Sequence, residues 1–91
     1  MDEKSIALGL LANPAHQIFA GFSWWLIANV ETNTTVMRMS DSLFKVLGAD
    51  GWLERDEEYR EVWRLAPERR AELVEQNLDV LATVHLMQDV D

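Results

Sequence analysis

Trp24-Trp25-Leu26-Ile27-Ala28-Asn29-Val30, then the polar turn Glu31-Thr32-Asn33-Thr34, then Thr35-Val36-Met37-Arg38-Met39, is the stretch on which the fold turns. It reads in two ways. Aromatic and β-branched residues around a short polar turn describe a β-hairpin over about 23–39. The same residues also complete a segment from Pro14 to about Val30 in which Ile18, Phe19, Phe22, Trp24, Trp25, Leu26 and Ile27 go round a whole helical cylinder, the pattern of a helix covered on every side. Beyond the turn, Val36, Met39, Leu43, Val46 and Leu47 share one helical face, with Thr34 as its cap and Gly48 as a left-handed terminator. Val36 to Leu47 fits a 3.6-residue period better than strict alternation, so helices are the expectation and the hairpin the alternative.

The flanks support helices as well. Asp2 can cap a first helix of about Glu3 to Ala12, with Ile6, Ala7, Leu10 and Leu11 on one face. Asn13-Pro14 reads as an N-cap followed by proline at the first helical position, where the missing N–H costs nothing. After the turn Ala49-Asp50-Gly51, the stretch Glu54 to Glu75 carries eight acids and five arginines. Its helical spacings Asp56 to Arg60 and Arg64 to Glu68 suggest solvated ion pairs, and Tyr59, Val62 and Trp63 a buried face. Pro67 can open a last helix, to about Met87, with one apolar row at Ala71, Val74, Leu78, Leu81 and His85 and a second at Leu73, Val80, Val84 and Met87. The expected fold is therefore all-α, a compact bundle of four to five helices in a single domain over 1–91, with α+β and one hairpin at about 23–39 as the alternative.

Composition bounds the function. The 91 residues include no cysteine, which excludes disulfides, thiolate metal sites and cysteine nucleophiles. Sixteen acidic against eight basic residues leave a net charge of −8, which repels phosphate backbones and anionic headgroups; no direct nucleic-acid binding is expected. From Ser5 to Val30 there is no Asp, Glu, Lys or Arg. That run is long enough to cross a bilayer, but Asn13, Pro14, His16, Gln17, Ser23 and Asn29 interrupt it, so it is expected to be buried in protein and not in a membrane. Met1-Asp2-Glu3-Lys4 lacks the positive start of a secretory signal, which points to the cytoplasm.

No pattern supports catalysis, a cofactor or a metal. His16 and His85 form no His-x-x-x-His or Glu-x-x-His pair and read as core or interface histidines. The serines lack the Gly-x-Ser-x-Gly elbow, and Asn33-Thr34-Thr35 matches a glycosylation sequon without a secretory context. Asp41-Ser42-Leu43 resembles the Asp-Ser-Leu at which acyl and peptidyl carrier proteins accept a phosphopantetheine arm, and the resemblance implies a helical carrier modified at Ser42. It covers three residues and departs from the family at Met39-Ser40 before them and Phe44-Lys45 after.

Four tryptophans in so short a chain are the remaining signal, because tryptophan is enriched at the energetic centres of interfaces. The expectation is a non-catalytic protein–protein interaction module, a small regulator, inhibitor or assembly component that self-associates as a homodimer. Trp24, Trp25, Leu78, Leu81 and His85 are its candidate interaction residues. The rival is an acidic mimic of nucleic acid, presenting the carboxylates of Asp50 to Glu75 to a basic groove.

Overall fold

In the computed structural model, which describes residues 2–88, the chain runs α1 (Glu3–Leu11), β1 (His16–Ala20), β2 (Trp25–Asn29), β3 (Thr34–Met39), α2 (Asp41–Ala49), β4 (Leu53–Arg55), β5 (Val62–Leu65), α3 (Arg70–Glu75) and α4 (Leu78–Gln88), with a 3-10 turn at Pro67–Arg69. The strands form one antiparallel sheet in the order β3-β2-β1-β5-β4. The fold is α+β, so the all-α bundle is corrected, and with it the helical fold that the carrier resemblance implied.

Each correction has a local cause. Asn13-Pro14 suits a helix start and a β-turn equally well, since proline's φ fits both. Here Asn13 Oδ1 accepts from the Ala15 N–H and the Asn13 carbonyl from the His16 N–H at 3.0 Å, which closes a turn and launches β1. Strand β2 shows no alternation because Ile27 is fully buried on one face while Leu26 and Ala28 are half-buried on the other. A strand that carries apolar residues on both faces reads as a plain apolar run. The hairpin β2–β3 turns at Asn33, whose φ of 57° asparagine tolerates, and a register shift between Ile27 and Ala28 disturbs the period there.

Helix α2 starts later than expected, with Ser40 and not Thr34 as its cap; the Ser40 hydroxyl accepts from the Leu43 N–H at 3.1 Å. It closes at Gly51 rather than Gly48. With φ at 78°, Gly51 lets its own N–H and that of Trp52 bond back to Gly48 and Leu47 at 3.1 Å each, a Schellman closure. The expected fourth helix is the pair β4–β5. Arg64 meets Glu54 across the strands at 2.9 Å and Asp56 at 2.8 Å in place of the helical ion pairs, and Tyr59 is exposed. The expected last helix breaks at Asn77, again at φ 57°.

The core lies between the sheet and the helices. Ile18, Ile27, Met39 and Leu65 bury themselves against Leu8 and Leu11 of α1, Leu47 of α2 and Leu73 of α3. Helix α1 has five consecutive buried residues, Ala7 to Leu11, because the sheet covers one side and α4 the other. The charge-free run thus supplies α1, β1 and β2, but its loop Gly21–Trp24 is exposed, Phe22 completely, so the expectation that the whole run is buried is corrected there. At Gly9 a Cβ would overlap the Leu78 carbonyl and stand 2.5 Å from Ala82 Cβ, so α1 and α4 close on the residue without a side chain. No described helix is long and apolar enough to cross a membrane.

Candidate functional site

The five residues expected at an interface fall into two groups on different elements. Trp24 ends the loop Gly21–Trp24 between β1 and β2, is 43% exposed, and carries the Arg38 guanidinium 4.8 Å over its ring. Trp25, one residue on, points to the other face. It stacks on Phe44 of α2 at 3.7 Å, with Trp63 edge-on to Phe44 at 5.5 Å, and its Nε1 donates to Asp41 Oδ1 at 3.2 Å. That carboxyl is held below the usual aspartate range first by the hydrogen bond from Lys45 and then by that from Trp25. Trp25 therefore joins strand to helix and offers little free surface.

On α4, Leu78 is half-buried against the core and His85 is half-buried in the last turn, while Leu81 is 50% exposed. Sequence spacing puts Leu78 and Leu81 in one row, but Asn77 turns the chain just before α4 and re-aims the helix. Ala82 faces α1 as a result. The side turned outward carries Val80, Leu81, Val84 and Met87, from 44% exposed at Val84 to 69% at Met87. Three of these belong to the expected second row; the sequence does not show that no described element covers them.

One flank of α4 meets the end of α1 and the Asn13–His16 turn in a cleft of about 400 Å³ whose walls include Leu10, Pro14, His16, Asp79, Val80 and Val84. His16 is 8% exposed, and its Nδ1 lies 2.6 Å from the Leu10 carbonyl oxygen. A carbonyl only accepts, so Nδ1 carries the hydrogen, and Nε2 of the neutral ring keeps its lone pair. Sequence reasoning misses Asp79. Its one signal is that it stands as the sole acid between Leu78 and Gln88.

Comparison with protein-family models, curated proteins and solved structures finds no match.

The acidic stretch is less uniform in space than in sequence. Arg64 bridges Glu54 and Asp56, which raises its own affinity for a proton, Glu54 contributing before Asp56. Arg69 lies 3.6 Å over the Trp52 ring, pairs with Glu72 and donates to the Asp50 carbonyl. Ser42 is exposed in the first turn of α2, beside Asp41, which pairs with Lys45 at 3.0 Å.

Proposed function

We propose that the chain is a non-catalytic protein-interaction module that pairs with a second copy of itself through the outer face of α4. The observation that carries this reading is the joint exposure of Val80, Leu81, Val84 and Met87 on a helix whose inner side is packed on α1. Contiguous exposed apolar surface of this kind is uncommon on monomers in water. Electrostatics favour the same place. In a chain of net charge −8, α4 holds a single acid, so two copies meet there with less repulsion than at the carboxylate-rich β4–β5 end. A helix face that meets its own copy about a two-fold axis closes after two chains, which gives a dimer and not a filament.

Absence of cysteine fits a reducing compartment such as the cytoplasm. The mimic of nucleic acid draws no support from the acidic stretch, whose Glu54, Asp56 and Glu72 are each paired to an arginine. Light scattering coupled to size exclusion, at micromolar concentration, tests the dimer. About twice the 10.5 kDa chain mass is expected, returning to the single-chain mass in Leu81→Glu. A single-chain mass for the unaltered protein over a range of concentrations overturns the reading.

A further inference from the structure

The cleft beside α4 has a chemistry of its own. Its volume of about 400 Å³ falls in the range of small-molecule sites, about 300–1,000 Å³. Most of the wall is hydrocarbon, from Leu10, Pro14, Val80 and Val84. Four polar side chains interrupt it, Asn13, His16, Asp79 and Thr83. The Thr83 hydroxyl donates to the Asp79 backbone carbonyl at 2.8 Å, and Asn13 Oδ1 accepts from the Ala15 N–H at 2.9 Å. Asp79 Oδ1 is shut off from solvent and accepts no hydrogen bond among the described residues. A carboxylate oxygen buried without a donor is costly, and native folds rarely leave one so. His16, with its Nδ1–H committed to the Leu10 carbonyl, offers Nε2 as a second acceptor.

Asp79 and His16 ask for a donor, and among the described residues no Lys or Arg lines the cleft to supply one. Arg70 bonds a residue of the wall, but through its Nε to the Ala12 carbonyl at 3.0 Å. A hydrocarbon ligand would leave Asp79 unsatisfied, and an anionic ligand would be repelled by it. We infer that the cleft binds a small organic ammonium ion, its N–H groups donating to the carboxylate of the half-buried Asp79 as that side chain turns toward the cleft, and its apolar body lying against Leu10, Pro14, Val80 and Val84.

This inference stands on the cleft and not on the pairing of α4. Val80 and Val84 belong to both surfaces, so the titration is run on the unaltered chain and on Leu81→Glu, which lets the two ideas fail separately. The probe is 2-phenylethylammonium, followed by ¹H–¹⁵N chemical shifts at Gly9, Ala12 and Thr83. Saturable shifts confined to the cleft are expected, with none from 3-phenylpropionate and weaker ones from 2-phenylethanol. Asp79→Asn keeps the shape and removes the charge, and should weaken ammonium binding about tenfold or more. A thermal melt of that variant verifies its fold, while the comparison of the three probes on unaltered protein needs no variant at all. Failure of the ammonium to saturate, equal binding of the carboxylate or the alcohol, or unchanged affinity in a folded Asp79→Asn chain each overturns the inference. Tighter binding of Nα-acetyl-lysine amide than of 2-phenylethylammonium would overturn it as well, by assigning the cleft to a lysine of a partner.

Discussion

Single residues decide this structure where the backbone is crowded or the charge is enclosed. Gly9 is the clearest case, since α1 and α4 touch at a point where any Cβ would meet the Leu78 backbone and Ala82. Elsewhere in a helix Gly→Ala would be favourable. Here Gly9→Ala should cost about 1–3 kcal/mol through overpacking, read as a lower urea midpoint. An unchanged midpoint would mean that α4 sits farther from α1. Asp56 acts through charge. The N–H groups of Tyr59 and Glu58 at 3.0 and 2.8 Å, and then Arg64, hold its pKa below that of an ordinary aspartate. A carboxyl that ionises more readily in the folded chain stabilises it fully above its unfolded pKa of about 3.9, and that contribution fades as pH falls from there toward the folded value. The Asp56 carboxyl should therefore titrate below the free-aspartate range by NMR, and Asp56→Asn should lose less melting temperature than the unaltered chain on going from about pH 5 to about pH 2. A midpoint at or above the free value would sink this account.

At the scale of elements, the ends of helices and strands are more legible in the sequence than their kind. Asp2 reads as the cap of α1, and its carboxylate accepts from the Ser5 N–H at 2.7 Å. Asn13-Pro14, Ala49-Asp50-Gly51 and Pro67 all read as breaks, and the chain breaks at each. The segments between breaks are misread wherever a strand carries apolar residues on both faces, as in β2, or is too short to show a period, as in β4 and β5. Asn77 gives no such signal because the apolar rows run on through it. Its left-handed φ ends α3, and its carbonyl then accepts the Leu81 N–H at 2.9 Å to begin α4. The left-handed region costs a residue with an ordinary Cβ about 1–2 kcal/mol. Asn77→Ala should thus destabilise by about that amount while Asn77→Gly leaves stability nearly unchanged, in parallel chemical denaturation. Equal losses in both would show that the asparagine side chain matters more than the backbone conformation.

The whole molecule is a sheet with its helices gathered on one side, and α1 is the layer between sheet and α4. Stacking α4 on α1 uses up one of its faces and leaves the other exposed, the face proposed to meet a second copy. Two chains of net charge −8 repel at long range, and salt shortens that range, from a Debye length of about 30 Å at 10 mM to about 8 Å at 150 mM. Sedimentation equilibrium should accordingly show a tighter dimer as salt is raised across that interval. A dimer that weakens with salt would point instead to an interface held by ion pairs.

Composition and local patterning by themselves determined the acidic, cysteine-free character of the chain, the largely buried charge-free run, the cap of α1 and most of the chain breaks, because each of these depends on residues adjacent in sequence. They did not determine whether the segments between breaks were strands or helices, since Asn-Pro serves both and a strand apolar on both faces has no period. Nor did they show which apolar row of the last segment would be exposed. That depended on the turn at Asn77 and the contact at Gly9, two local features whose consequence emerges only when α4 is laid against α1. The same packing brings His16 and Asp79, far apart in sequence, onto the walls of one cleft.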